Sequence, residues 1–470
     1  MPRIPYKNPA KGTSVVGDAM RDRRGPRGLT PLDQTLLNAP EIANGWNTLL
    51  GAVRNRNSLP DDIRELMILR VAARNSACFE WIHHAHVGTD AGLTNQQLTI
   101  IRDLYTPLPT PAAPGVLSPF QAAALRFADA STFSVNVPQS ILDELKEHLK
   151  DDQQLLEATA VAATYNMVSR LLVTLDVGDM GAISVPLPET EQTEHDVEVD
   201  DGVTLHVRVA KRDDASPWLV FVNSLMTNQK MWEGALPRLS KKYNLVTYDQ
   251  RGHGKSSVPP KPCTLEVLAG DIATILAKLS IPTPIHAVIG VSQGGATTLA
   301  LAQHHPDLFD RLVACDTQAT SPAANAAAWN ERIALARNEG SMVPLADVTV
   351  PRWFPSGATS EFNVGGRRAH FIHDMVATTP IEGFAAGAAA LQGYDVLPGL
   401  ADKLKGGDGK KVLLVAGERD GALPGVLKGL ADKLKADGVD ARFEQIQGAG
   451  HLPMVDATQP WLDVVEDFLA

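Results

Sequence analysis

The hydrophobic period of this chain changes once, at ISVPLPETEQTEHD, and the change decides what each side of it can fold into. Before it, LDQTLLNAPEIANGWNTLLGAV, DDIRELMILRVAARNSACFEWIHHAHVGTDAG, NQQLTIIRDLY and SPFQAAALRFADAST space their apolar residues at three and four, as helices with one face in a core do. Ser58 and Pro60 offer a cap and a first-turn proline, Gly92 a stop, and Thr94 a new start. After it, short β-branched runs such as PWLVFVNSL, YNLVTYD, IHAVIGVS, RLVACDT and KVLLVAGERD alternate with helical segments. That alternation predicts a mostly parallel sheet covered by helices on both faces. The sequence therefore predicts an all-α domain over residues 1–181 and a linker over 182–195, where proline and acid interrupt both periods. An α/β domain follows over 196–470, opening on an antiparallel ribbon. Between Asp316 and Leu397 the strand signal gives way to alanine-rich helical sequence too long for a loop, which reads as a helical cap over about 318–397.

Composition bounds the partners. A net charge of -11 argues against a polyanion, so no nucleic-acid partner is expected. Cys78, Cys263 and Cys315 are too few and too scattered for a disulfide framework or a zinc-finger spacing, which suits a reducing compartment. MPRIPYKNPAKG lacks the order of a secretory signal, and no apolar run approaches a membrane span. A cytoplasmic chain with no membrane partner is the expectation.

The strongest chemical signal is Gly290-Val291-Ser292-Gln293-Gly294-Gly295, set directly after the apolar run Ala287-Val288-Ile289 and before the helical TTLALAQHH. Glycines two residues either side of a serine let backbones pass closely while the hydroxyl projects from a strand-turn-helix elbow. A serine hydroxyl needs a base, and on such a scaffold the acid and then the histidine follow downstream. Asp420 ends the strand KVLLVAGERD, and His451 sits in the glycine-bounded loop GAGHLPMVD. Asp316 is the rival acid, because it too ends a strand. Donors for a developing oxyanion are expected from the backbone N–H of Gln293 and from the loop after PWLVFV, through Leu225. Arg251 and His253, in DQRGHGKSS, read as structural hydrogen-bonders of their loop, and Cys263 and Cys315 as buried.

The segments FVNSLMTNQKMW, YDQRGHGKSS, GVSQGGAT, RLVACDTQA, AAWNERIALARNEG, RWF and GAGHLPM resemble 3-oxoadipate enol-lactone hydrolases of the α/β-hydrolase superfamily, across nearly all of residues 195–470. The resemblance implies a Ser-His-Asp hydrolase that opens a five-membered enol lactone bearing an acetate arm, giving 3-oxoadipate, with no cofactor and no metal. Met226 stands where that family usually has glycine. An anionic lactone calls for a cation beside an otherwise apolar pocket, and Trp329, Arg332, Arg352 and Trp353 in the cap region are the candidates.

In the helical half, Glu80 and His84 are spaced i, i+4 and share one helical face able to do acid-base work. His83, His84 and His86 do not read as metal ligands, since adjacent helical residues point about 100° apart. In its Arg-Glu-Leu, Glu-x-x-x-His and Ala-Gly-Leu-Thr pieces this half is similar to the carboxymuconolactone decarboxylase family, related to alkylhydroperoxidase-like proteins, over roughly residues 30–180. The resemblance implies a polar site at Glu65, Glu80 and His84 and a homo-oligomer formed through this domain. Of the redox subgroup's paired cysteines only Cys78 remains, with Trp81 where the second would stand, so dithiol peroxide reduction is not expected. A decarboxylase of 4-carboxymuconolactone would make the enol lactone that the second half would open. Two other readings stay open: a hydrolase of another ester or lactone with the helical half as an oligomerisation scaffold, and a non-catalytic receptor using the α/β-hydrolase pocket.

Overall fold

Residues 2–355, 367–405 and 410–470 are described by the computed structural model, in which the chain divides into two units, Met1–Pro188 and Glu189–Ala470. The helical periodicity of the first is realised at Val15–Arg24, Pro31–Leu36, Pro40–Asn55, Asp61–Arg74, Cys78–Asp90, Asn95–Arg102, Pro119–Ser134, Gln139–Lys146 and Asp152–Thr174. Polar caps set several of the starts. Thr30, Thr94 and Ser118 each form a reciprocal capping box with Asp33, Gln97 and Gln121. Ser58 does otherwise than expected: the helix begins after Pro60, and the Ser58 N–H and hydroxyl both donate to Glu157, at 2.8 and 2.7 Å. The long periodic run from Asp61 to Asp90 is two helices, broken at Asn75–Ala77, where Ser76 takes φ 53°.

Leu66, Met67, Ile68 and Leu69 are fully buried, and Arg70 beside them is 1% exposed. Its Nε donates to Asp129 at 2.7 Å, and its Nη1 donates to the carbonyls of Ile101 and Asp103. Arg74 closes on the same carboxylate at 2.7 and 2.8 Å. Burial alone would push Asp129 up, but the two guanidiniums outweigh it and hold the carboxyl below its ordinary range.

Two boundaries move. Residues 182–188, expected in the linker, belong to the helical unit, because Val185 and Leu187 are buried and the Val185 carbonyl accepts from Arg102 at 3.1 Å. Residues 191–195, also expected in the linker, begin a strand. The sheet has eight strands: β1 (Glu191–Glu198), β2 (Thr204–Lys211), β3 (Trp218–Val222), β4 (Asn244–Tyr248), β5 (Ile285–Val291), β6 (Phe309–Cys315), β7 (Lys411–Gly417) and β8 (Asp440–Ile446). Their order is β1-β2-β4-β3-β5-β6-β7-β8, antiparallel through β1, β2 and β4 and parallel from β4 to β8. β1 is an edge strand with only Val197 buried, and its solvated, charged side chains are what made it read as linker.

The central strands are buried on both faces, which the parallel arrangement requires and their unbroken apolar runs supply. Between β6 and β7 lie helices Ala323–Glu339, Val343–Trp353, Arg367–Thr378 and Ile381–Ala389. They occupy the stretch read as a cap; its residues 356–366 lie outside the described residues. No helix among the described residues is long and apolar enough to cross a membrane.

Replacing Asp129 by alanine strands the buried Arg70 charge, and the expected cost is about 3–5 kcal/mol of helical-unit stability. Since Asp129 is held below its ordinary value, its contribution is present above the unfolded carboxyl range and is lost as pH falls through the folded value. Denaturant unfolding of wild type and Asp129→Ala should therefore differ most near neutrality and converge in acid.

Candidate active site

β5 ends at Val291, and the helix Gln293–His304 starts two residues later, so Ser292 must reverse the chain alone. It does so at φ 56°, ψ -117°, a strained conformation for a residue with a Cβ. Neighbours hold it there: the Ser292 N–H donates to the Cys315 carbonyl at 2.9 Å, and the Thr317 hydroxyl donates to the Ser292 carbonyl at 2.8 Å. A Cβ on Gly294 would lie 2.1 Å from the Val222 carbonyl oxygen, so only glycine fits where the turn passes the end of β3.

A cavity of about 600 Å³ opens over the elbow, lined by Ser292, Gln293, Leu225, Asp420 and His451 together with all four cap candidates, Trp329, Arg332, Arg352 and Trp353. The loop after β7 carries Asp420, and the loop before the C-terminal helices carries His451. Their contact is direct, His451 Nδ1 to Asp420 Oδ2 at 2.7 Å. Burial would raise Asp420, but His451, by charge and by hydrogen bond, holds it below the usual carboxylate range. Among the described residues the backbone N–H groups of Leu225 and Gln293 make no hydrogen bond, the second because it opens a helix. The Met226 N–H is committed to His253 Nε2 at 3.1 Å, while His253 Nδ1 meets the Arg251 carbonyl at 2.9 Å. His253 thus has its proton on Nδ1 and latches the loop of Leu225, and burial lowers its pKa to match. Arg251 pairs with the buried Asp271 through two contacts of 2.6 Å. Met226 itself sits at φ 65°, the left-handed conformation that glycine would take without strain.

The cap residues divide by role. Trp353 stacks on the His451 ring at 5.4 Å, and its carbonyl accepts from the His451 N–H at 3.0 Å, so it is a wall for the histidine as much as for the cavity. Arg332 lies over the Trp329 ring at 4.7 Å. Burial and then the nearby Arg352 guanidinium lower the Arg332 pKa, and neither arginine has an ion pair among the described residues. Tyr394 and Arg419 also line this cavity and were not singled out from sequence.

Asp316, the rival acid, is 1% exposed at φ 44° immediately after β6 and makes no contact with His451 that replaces Asp420's. Asp316, Asp420 and His451 offer ligand-type atoms within 4.8 Å of one another. The imidazole-carboxylate contact already uses one ring nitrogen.

In the helical unit, the break at Asn75–Ala77 lets Glu65 meet His84, Oε2 to Nδ1 at 2.6 Å. The Tyr165 hydroxyl lies 3.3 Å from the other nitrogen, Nε2. Glu80 is 2% exposed and accepts from the Ser169 hydroxyl at 3.1 Å through both oxygens. With no cation paired to it among the described residues, burial pushes its pKa well above the ordinary range. His84 shifts the other way, lowered by burial against the pull of Glu65. A cavity of about 160 Å³ is lined by Glu80 and His84 and by Arg24, Arg27 and Arg54. Glu65 supports His84 from behind without lining it. His83 and His86 bond carbonyls of their own helix, Phe79 and Ile82, and line the same cavity as His84. Tyr165, Ser169 and the three arginines escaped the sequence reading; the i, i+4 spacing of Tyr165 and Ser169 on an otherwise apolar helix face was their one visible sign.

Comparison with known proteins follows the same division. The family model described as α/β hydrolase fold matches residues 217–458, and that of the carboxymuconolactone decarboxylase family matches residues 40–122. Two proteins of Acinetobacter baylyi are similar to the second unit. 3-Oxoadipate enol-lactonase 2 is 35% identical over 39% of this chain and 66% of its own length, and 3-oxoadipate enol-lactonase 1 is 32% identical over 43% and 71%. The chain thus spans about two thirds of these relatives' length. Among solved structures, the enol-lactonase from Burkholderia xenovorans LB400 superimposes with a TM-score of 0.52 at 32% identity, covering 59% of this chain and 99% of that one. A hydrolase from Pseudomonas aeruginosa gives 0.53 at 30%, covering 59% and 98%. With its Ser292 elbow on an eight-stranded, mostly parallel sheet and its helical N-terminal unit, the chain belongs to the α/β-hydrolase fold family and carries a carboxymuconolactone decarboxylase family region ahead of the hydrolase.

Proposed function

We propose that the second unit is a serine hydrolase that opens 3-oxoadipate enol lactone or a closely related lactone, and that the helical unit decarboxylates its carboxylated precursor, 4-carboxymuconolactone. The observation that carries the first part is the convergence, in one cavity, of a serine on a strained elbow, a histidine hydrogen-bonded to Asp420, and two backbone N–H groups without a partner among the described residues.

In this reading His451 carries its proton on Nδ1, donated to Asp420, and its Nε2 takes the proton of the Ser292 hydroxyl. The serine oxygen adds to the lactone carbonyl, and the N–H groups of Leu225 and Gln293 receive the developing oxyanion. Collapse breaks the ring C–O bond. The enol oxygen takes the proton back from His451 and stays tethered in the acyl-enzyme until water, activated by the same histidine, releases the acid. Arg332 and Arg352 face the cavity without a close ion pair among the described residues, which suits a substrate carrying an acetate arm.

In the helical unit, loss of carbon dioxide leaves an electron pair on the substrate, and a proton must be delivered to its carbon skeleton. Glu80, kept neutral by burial, suits the donor role, and the Glu65-His84-Tyr165 chain suits orienting the lactone. Arg24, Arg27 and Arg54 supply positive charge for the carboxylates. We also infer that this unit forms a homo-oligomer, as exposed Ile42 and Leu156 suggest; sedimentation of the intact protein as a monomer would count against it. One observation favours a second reading, another lactone or ester: Met226 places a side chain in the cavity where the enol-lactone hydrolases usually have glycine.

Ser292→Ala should lower lactone turnover by at least about 1,000-fold, and Asp420→Asn should be severe through a misoriented His451. Near-wild-type turnover in Ser292→Ala would exclude the serine mechanism.

Arg352→Ala should reduce kcat/KM for an anionic lactone by roughly 10-fold or more, the worth of one charged hydrogen bond, while a neutral ester loses little. Equal losses on both would remove Arg352 from substrate binding.

Given 4-carboxymuconolactone, the intact protein should release carbon dioxide and 3-oxoadipate. Ser292→Ala should stop at the enol lactone, and His84→Ala should leave the precursor unconsumed. If wild type opens the enol lactone yet never consumes the precursor, the scaffold reading of the helical unit takes over.

A further inference from the structure

Asp316 is a buried carboxyl in the hydrolase cavity that the proposed reaction does not use. It follows β6 directly at 1% exposure, its Oδ1 accepts from the Gly417 N–H at 2.8 Å, and its buried Oδ2 has no hydrogen-bond partner among the described residues. One of its carboxylate oxygens lies within 4.8 Å of an oxygen of Asp420 and of a ring nitrogen of His451. Asp420 gives Oδ2 to His451. Two carboxylates this close, one buried and the other only 18% exposed at its side chain, repel when both are charged, and a single proton between them removes the conflict.

We propose that Asp316 is a positioning residue that holds this proton on Oδ2 and donates it to Asp420, fixing the acid whose other face binds His451. The assignment rests on the serine-hydrolase reading of the cavity. It also accounts for the asymmetry of the pair: Asp420 is the partner in contact with a basic group and stays charged, while Asp316 meets only a backbone N–H and that charge. Burial and then the charge of Asp420 push Asp316 well above its ordinary range, in keeping with the geometry. The other titratable or charged groups facing the pair are His451, Arg352 and Arg419 around the cavity, Tyr394 in the cap, and the Cys315 thiol, itself pushed up by burial. His451 and Arg352 act on Asp420, so they favour its ionisation over that of Asp316.

The consequences differ from those of a merely structural aspartate. The hydrogen bond exists while Asp316 is protonated and is lost as pH rises through its folded pKa, so wild type should show an alkaline limb in kcat. Asparagine mimics the protonated acid, with an amide oxygen for Gly417 and an N–H for Asp420, and has nothing to titrate. Leucine matches the size and donates nothing.

The test uses the full-length protein, an enol lactone or an activated aryl ester as substrate, and infrared difference spectra with isotopically labelled aspartate. Asp316→Leu should lose roughly 10-fold or more in kcat, as removal of a charge-assisted hydrogen bond does. Asp316→Asn should recover most of that loss without the alkaline limb, and a protonated-carboxyl band present in wild type near neutrality should vanish in it. The proposal is overturned if no aspartic acid band disappears, or if Asp316→Asn is as damaging as Asp420→Asn, which would make Asp316 the working acid. The infrared result does not depend on turnover, so failure of the serine mechanism, read from Ser292→Ala, is distinguishable from failure of the proton assignment.

Discussion

A single close approach governs the chemistry of the second unit. Where β5 turns into its helix, a Cβ on Gly294 would sit 2.1 Å from the Val222 carbonyl and one on Gly290 2.3 Å from the Gly294 carbonyl. Removing those side chains lets the helix start against the end of β3, and that contact places the Gln293 N–H beside the loop of Leu225. The strain of Ser292, of the order of 1–3 kcal/mol for such a backbone, is held by bonds to Cys315 and Thr317 on the neighbouring strand end. The sheet therefore supplies rigidity, and the serine's exposure follows from the geometry of the turn rather than from the loop around it.

Buried charge is handled by a common rule in both units. Arg70 and Arg251 are 1% and 3% exposed, and each closes on a carboxylate, Asp129 and Asp271, with backbone carbonyls accepting further N–H groups. Where a buried carboxyl has no paired cation among the described residues, as at Glu80 and Asp316, it is pushed toward its neutral form. Each of these acids lines a cavity with a histidine that a second carboxyl group contacts: His84 with Glu65, and His451 with Asp420. In the proposed reactions the arrangement would separate two duties, one carboxylate orienting an imidazole and one acid keeping a proton available or its neighbour in place.

What sequence revealed and what it hid follow from how each feature is encoded. Ser292, Asp420 and His451 were legible because strain at an elbow demands glycine and because strand ends deliver the acid and the histidine in a fixed chain order. The break between the two helices at Ser76 was not, since apolar spacing runs through it unchanged; only the structure shows that it folds Glu65 onto His84. Tyr165 and Ser169 come from a helix distant in sequence, and one polar residue per turn on a buried face looks like any other helix. β1 hid because an edge strand exposed on nearly every residue has the composition of a linker, its order coming from backbone pairing with β2. Asp316 was visible as an acid but not as a neutral one, for the state of its proton depends on Asp420, which is brought close only when β6 and β7 pair.

Charge distribution ties the two cavities to one kind of ligand. The chain carries a net charge of -11, so an anionic small molecule meets repulsion over most of its surface. Both cavities are local exceptions: Arg24, Arg27 and Arg54 line the one and Arg332, Arg352 and Arg419 the other. Under the proposed reading such cavities favour carboxylates over the rest of the surface, for a substrate with two carboxylates as for a product with one. Succession between the sites would then require no passage built into the protein. It requires only that the product of the first keep the carboxylate by which the second recognises it, and loss of one carboxylate from a dicarboxylated lactone leaves that group in place.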